Sequence, residues 1–294
     1  MTGRAIDHIV LSHHDMGALA AVYDRLGFTL TPPAQHPFGT GNQLAQLDGN
    51  FIELLAVTRP QDIPAALAGH FSFGGYNQDY LKAGDGFSMI ALKSHGWQAD
   101  RAHFEAEGLD LSAPFEFSRL ARQPDGTEVT VGFKLTFATH PALPRAVFFT
   151  CDHQHEPQHF YKPQFQTHAN SAVGIAEVMM VCDDSQTLQP YFEALIGRDA
   201  VTALDDGLAV QAGQAMISLT SRSELSERFL GASIGSAGEP RFIGYGVAVR
   251  DINVAETAIS KGGFAYQRRG NSLWLCSADT SNVIIEFTQT QGSE

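Results

Sequence analysis

The sequence predicts an α+β protein assembled from four copies of one small unit, and three observations carry that prediction. An apolar strand opens each copy: Ala5 to Leu11, Gly86 to Leu92, Gly174 to Met180 and Gly244 to Val249. An amphipathic helix follows each strand, and a run of short strands then closes each copy on another apolar strand. Self-similarity of this kind decides an architecture before local propensity does. A single open sheet cannot bury its own concave face, so units should pair into closed or half-closed barrels, and four units make two pairs.

In the first unit the helix is expected over Asp15 to Gly27. Leu19, Val22, Tyr23 and Leu26 recur at helical spacing, Asp15 can cap the start, and Gly27 can supply the left-handed stop. Phe28-Thr29-Leu30 reads as a resumed extended run, Gln43 to Leu47 as an alternating strand, Asp48-Gly49-Asn50 as a turn, and Phe51 to Leu55 as the closing strand. Residues 58 to 85 read as loop and short helix. The second unit continues with a helix around Trp97 to Glu107, a hairpin across Pro124-Asp125-Gly126, and a strand from Arg145 to Cys151. The third has a helix from Ser185 to Gly197 and strands at Leu208 to Gln211 and Ala215 to Leu219. The fourth has a helix from Val254 to Gly262 and strands at Phe264 to Arg268, Ser272 to Cys276 and Val283 to Phe287. The expected domains are residues 1–155 and 172–294, joined by a linker at 156–171 that is rich in His, Gln and Pro and lacks hydrophobic periodicity.

With 294 residues and 44% hydrophobic content, the chain needs no disulfide or metal merely to fold. Cys151, Cys182 and Cys276 are too few and too scattered for a disulfide framework, and a reducing cytoplasm is the expected compartment. Nineteen basic against thirty-two acidic residues give a net charge of -13, which opposes contact with nucleic acid or an anionic membrane. No run is long and apolar enough to span a bilayer. The expected partner is a small molecule, neutral or cationic, and a homodimer is the one protein partnership left open. No phosphate loop or nucleotide fingerprint is present.

Any site that needs imidazole must be built from the first half, because all twelve histidines lie at or before His168. His8 and Glu53 each interrupt a strongly apolar strand, where a polar side chain is costly unless paired or bound. The stretches Ile6-Asp7-His8-Ile9-Val10-Leu11, Tyr23-Asp24-Arg25-Leu26-Gly27-Phe28 and Phe51-Ile52-Glu53-Leu54-Leu55 resemble the vicinal oxygen chelate superfamily. Within it, His36-Pro37-Phe38-Gly39-Thr40-Gly41-Asn42 is similar to a stretch of glyoxalase-like proteins. The resemblance implies four βαβββ units pairing into two half-barrel glyoxalase-like domains. It places metal ligands at His8 and Glu53, with a third at His153 by similarity of Cys151-Asp152-His153 to a Cys-x-His that follows the second unit's last strand. Two imidazoles and a carboxylate suit Zn, Mn, Ni or Fe. The repeat would also place ligands at Ser88 and Phe149, whose side chains are poor or impossible ones.

Each candidate has a plainer reading. His8 beside an aspartate fits a satisfied structural pair, Glu53 could be its buried partner, and His153, His155, His159 and His168 could be solvated. His36, Gly39, Thr40 and Asn42 could line the cup as substrate contacts or form a tight loop. His13-His14 reads as a surface turn, and Cys151 as a buried strand cysteine. Glu177 and Glu286 stand where His8 and Glu53 stand in the first pair, as remnants, surface positions or ligands for a hard cation.

The resemblance implies a metal-dependent lyase or isomerase acting on a small substrate with adjacent oxygens, with Glu53 moving the proton. The alternative is a metal-free sequestering protein of the bleomycin-resistance type, which the residues Ser88 and Phe149 would suit. An extradiol ring-cleaving dioxygenase would place its ligands in the second pair of units, where this chain has no histidine.

Overall fold

The computed structural model describes residues 3–123, 126–234, 238–275, 280–281 and 283–290. Pro124 and Asp125 of the expected hairpin and Cys276 of the expected last-but-one strand lie outside the described residues. The first unit comprises β1 (Ile6–Ser12), α1 (Met16–Arg25), β2 (Ala34–Gln35), β3 (Thr40–Gln46) and β4 (Phe51–Val57). After α2 (Phe73–Leu81) the second comprises β5 (Gly86–Lys93), α3 (Trp97–Ala106), β6 (Asp110–Leu111), β7 (Phe115–Arg122), β8 (Glu128–Thr139) and β9 (Val147–His153). The short helix α4 (Pro157–Phe160) leads to the third unit: β10 (Ala172–Val181), α5 (Gln189–Leu195), β11 (Val201–Leu204), β12 (Gly207–Ala212) and β13 (Ala215–Thr220). After α6 (Arg222–Arg228) come β14 (Arg241–Val249), α7 (Ile252–Lys261), β15 (Tyr266–Arg269), β16 (Ser272–Leu275) and β17 (Ile284–Gln289).

Units pair in sequence order. One sheet runs β2-β3-β4-β1-β5-β9-β8-β6, with β7 added on β8, and the other runs β11-β12-β13-β10-β14-β17-β16-β15. In each, the opening strands of two units meet antiparallel at the centre, β1 with β5 and β10 with β14. This is the α+β, four-unit arrangement that the repeats imply.

The α1 helix forms where capping chemistry places it. Asp15 accepts from Ala18 N at 3.0 Å, and Gly27 follows with a φ of 88° that a side chain would strain. Phe28-Thr29-Leu30 is not a strand. Its neighbours are not a ladder: Phe28 N donates to Tyr23 O and Thr29 N to the His168 ring, so the segment closes the helix instead. In the third unit, residues Ser185–Leu188 form a tight 3-10 turn before α5, and Pro190 occupies the first turn of α5, where its missing N–H costs nothing. The segment 156–171 is anchored: His168 Nε2 reaches Gln46 O at 2.8 Å, and Gln46 Nε2 donates to Phe160 O at 2.9 Å.

Strand alternation separates two apolar layers. On β4, Phe51 and Leu55 turn into the first cup while Ile52 and Leu54 face the helices. The helix-side layers of both sheets merge into one core, in which Phe87 stacks on Phe242 at 4.4 Å and the hydroxyls of Tyr23 and Tyr245 share a hydrogen bond of 2.6 Å. No helix among the described residues is long and apolar enough to cross a membrane.

Candidate metal and ligand site in the first cup

The first cup is walled by β1, β3, β4, β7, β8 and β9. Its side chains include seven phenylalanines, with His8, His36, Asn42, Glu53, Arg119 and Cys151 among them, around a free volume of about 40 Å³. That volume admits an ion or a few waters, while apolar side chains make up most of the wall.

His8 and Glu53 converge: His8 Nε2 lies 3.6 Å from Glu53 Oε2, both side chains being buried. Donors bound at about 2.0–2.2 Å to one tetrahedral ion lie roughly 3.3–3.6 Å apart, so this pair has the spacing of a coordination edge. The other ring nitrogen, His8 Nδ1, is 2.7 Å from Asp7 Oδ2. A carboxylate behind a histidine holds the proton on Nδ1 and leaves the Nε2 lone pair for a ligand.

Asp7 can stand beside His8 because the strand bulges there. In the β1–β5 register Ile6 pairs with Leu92 and His8 with Ala91, adjacent residues on the partner, so Asp7 is an extra residue on β1. A bulge re-aims a side chain that simple alternation would send to the opposite face. The second sheet repeats the irregularity, with Ile175 paired to Val247 and Glu177 to Gly246, which puts Ala176 in the place of Asp7. Burial alone would raise the Asp7 carboxyl, but the imidazoles of His153 and His8 outweigh it and hold it well below the carboxylate range.

His153 sits at the end of β9, where its Nε2 faces Asp7 Oδ2 at 3.1 Å. No ion pair or hydrogen bond joins it to Glu53 among the described residues. His36 does face Glu53, with Nε2 3.8 Å from Oε1, while its Nδ1 contacts Thr40 Oγ1 at 2.8 Å. Burial, with smaller contributions from Arg119 and His8, lowers the His36 pKa to about 3, which keeps the ring neutral and able to ligate. Asn42 Nδ2 donates to Glu53 Oε1 at 2.6 Å, and Asn42 Oδ1 is buried with no partner among the described residues. Burial pushes the Glu53 carboxyl up, opposed by His8 and the Asn42 bond. Gly39, at φ 87°, has no room for a Cβ, because Ile63 and the Arg59 carbonyl would lie within 2.7 Å of it.

Asp7, Cys151 and His153 also form a compact group of potential ligand atoms within 4.8 Å of one another. Burial and the neighbouring carboxylates raise the Cys151 thiol well above its usual value, which disfavours the thiolate a metal needs. Asp7 Oδ2 is moreover already shared by two imidazoles. Of the remaining expected positions, Ser88 is buried against Asn77 at 3.0 Å and Phe149 meets the His8 ring edge-on at 5.7 Å. The second unit thus supplies rings and a hydroxyl where the first supplies donors. His13 and His14 both contact Asp85, at 3.2 and 2.7 Å, in the turn after β1.

In the second cup a protein cation stands between the carboxylates. Arg228, on α6, binds Glu177 through both guanidinium nitrogens at 2.9 and 2.6 Å and Glu286 at 2.5 Å, and Ser218 Oγ donates to Glu177 at 2.6 Å. Glu177 and Glu286 are therefore neither solvated surface groups nor vacant ligands. Leu225 and Phe229 flank Arg228 and fill the apolar part of that cup with Met179, Ile243 and Trp274.

Comparison with known proteins supports the same architecture. A hypothetical protein from Staphylococcus aureus superposes with a TM-score of 0.69 at 13% identity, covering 98% of this chain and all of the other. A mutant of 4-hydroxymandelate synthase from Streptomyces coelicolor gives 0.57 at 12% identity, covering all of this chain and 94% of the other. A xylose isomerase-like TIM barrel/4-hydroxyphenylpyruvate dioxygenase fusion protein gives 0.59 at 12% identity, with all of this chain covering 49% of that one. These likenesses show the fold. No curated protein matches the sequence. The family description "glyoxalase-like domain" matches residues 6–196, from β1 through α5 and so across both units of the first sheet, and the chain therefore belongs to the glyoxalase-like domain family.

Proposed function

We propose that this protein is a divalent-metal-dependent enzyme of the glyoxalase-like class, a lyase or isomerase acting on a small substrate with adjacent oxygens. The observation that carries the reading is the Asp7–His8–Glu53 relay, in which a carboxylate behind the imidazole turns Nε2 to a second, buried carboxylate 3.6 Å away. His8 and Glu53 would hold the ion. His36 is the neutral imidazole placed to complete the set, and His153 is the second candidate through its contact with Asp7. A hard or borderline cation such as Zn, Mn, Ni or Fe there would polarise a substrate oxygen as a Lewis acid.

The chain's own residues supply the rest. Glu53, raised by burial and held at Oε1 by Asn42, takes up a proton more readily than an exposed carboxylate and is the group for proton movement. Asn42 Oδ1, unpartnered and buried, offers an acceptor to a substrate hydroxyl or to a water. The phenylalanine wall excludes bulk water, which strengthens each polar contact inside.

Elemental analysis of protein purified without added metal tests this reading. About one equivalent of a divalent metal, lost in His8→Ala, supports it. A second reading rests on a specific observation, the absence of donors at Ser88 and Phe149: a metal-free protein that sequesters a small ligand in the cup. It predicts no stoichiometric metal and no response to His8→Ala. Oxygen uptake by iron-loaded protein with catechols tests ring cleavage, for which no uptake is expected.

A further inference from the structure

We propose that Arg119 is a carboxylate anchor, so that the ligand of the first cup is a small monocarboxylate with an apolar body. The inference rests on the cup being a ligand site but not on the presence of a metal.

The strand β7 pairs only with β8 and lies along the cup with strict alternation: Phe115, Phe117, Arg119 and Ala121 are turned inward and half-buried, while Glu116, Ser118, Leu120 and Arg122 are exposed. Arg122 shows where this strand puts a guanidinium that is simply solvated. Arg119 is instead drawn into the phenylalanine wall. Phe117, two residues before it, fixes the strand against the site by stacking on Phe133 at 5.0 Å and meeting the His36 ring at 5.4 Å.

Among the described residues the guanidinium has no ion-pair partner there. Its one hydrogen bond among them is a long contact of 3.4 Å to Leu120 O, although it carries five donors. Among the described residues no carboxylate lies within 4.0 Å of it. Glu53, the acid that shares the cup, is engaged by Asn42 at 2.6 Å and faces His8. Burial opposes the charge of Arg119, with partial compensation from Glu53 across the cavity. A half-buried guanidinium with free donors, aimed into a cavity, matches the planar, bidentate geometry of a carboxylate.

Two arguments narrow the ligand. One cation set near Glu53 and Asp7 can offset one negative charge, which disfavours phosphate and other dianions. Phenylalanine rings surround the rest of the cavity, so the body of the ligand is apolar. The net charge of -13 points the other way, toward neutral or cationic ligands, but it acts at long range and is screened by salt, whereas Arg119 acts at contact.

The test is calorimetric titration of the chelator-treated 294-residue protein with formate, acetate and propionate, acids small enough for the free volume of about 40 Å³, and with the matching amides. The expected result is that at least one acid binds 10-fold or more tighter than its amide, that Arg119→Gln abolishes the preference, and that Arg119→Lys keeps part of it. Equal binding of acids and amides, no binding by any of them, or a preference that survives Arg119→Gln overturns the proposal. The wild-type acid-to-amide comparison stands even if a variant misfolds. Because the titrations are metal-free, an acid preference in a protein that never holds metal would retire the metal reading and leave the anchor.

Discussion

Asp7 Oδ2 lies 2.7 Å from Nδ1 of His8, and the imidazole it orients presents its other nitrogen to Glu53. The contact depends on a single extra residue in β1, and it explains why an apolar strand carries two adjacent polar side chains on one side. Replacing Asp7 by Asn keeps the size but lets the amide stabilise the wrong tautomer. Metal affinity, read by chelator competition, is expected to fall about 10–100-fold, and an unchanged affinity would remove Asp7 from the site.

Glu53→Gln should abolish stoichiometric metal while leaving the fold, because Asn42 can still donate to the amide oxygen. The measurements are metal content and the urea midpoint of the same preparation. Full metal retention would transfer the site to Asp7, Cys151 and His153.

His36 gives a pH signature in metal-free protein. Its folded pKa, lowered by burial to about 3 from the ordinary 6.5, lies below the unfolded one, so the unfolded chain binds the extra proton between those values. The stability of the neutral ring is therefore fully present above about pH 6.5 and is lost as pH falls toward 3, with a slope approaching ~1.4 kcal/mol per pH unit for this one group. The difference in stability between wild type and His36→Gln should follow that slope between pH 6 and 4, and a flat difference would show that the ring is not buried neutral.

Arg228→Met should leave Glu177 and Glu286 facing each other without a cation. The guanidinium side chain is 36% exposed, so solvent screens part of the loss, and a cost of about 1–3 kcal/mol in urea unfolding is expected. Adding Glu177→Gln and Glu286→Gln to Arg228→Met should recover much of it. A cost unchanged by the added substitutions would place it in lost packing against Phe229 instead.

Separating the halves near residue 170 should yield two insoluble fragments. The stack of Phe87 on Phe242, the Tyr23–Tyr245 hydroxyl pair and the bond from Arg4 Nε to Leu195 O at 3.1 Å all cross that cut. A soluble, monomeric, cooperatively melting fragment of residues 1–170 would contradict this.

The fold was legible because its signals are local or periodic. The spacing Leu19, Tyr23, Leu26 with Asp15 and Gly27 at its ends marks α1, and the opening strands repeat visibly. The meeting of His8 with Glu53 was legible too, since polar residues in apolar strands stand out. What stayed hidden lies in register and tertiary approach. Alternation sends Asp7 away from His8, and only the β1–β5 register shows the bulge. Arg119 sits in a strand that reads Phe-x-Phe-x-Arg with polar partners between, and that alternation was the available sign that Arg119 faces inward. Arg228 reads as one charge of a solvated helix, because nothing within its own turn points to two carboxylates on β10 and β17.

The merged apolar layer between the two sheets divides labour within a single polypeptide. A cup that must keep a guanidinium without an ion-pair partner among the described residues, an orphaned amide oxygen and buried carboxyls is an unfavourable thing to fold around. The other cup, sealed by its own arginine and aromatic filling, carries no such burden. The two cups back onto one shared interior, so the strain of keeping one of them open is borne by a core to which both copies contribute.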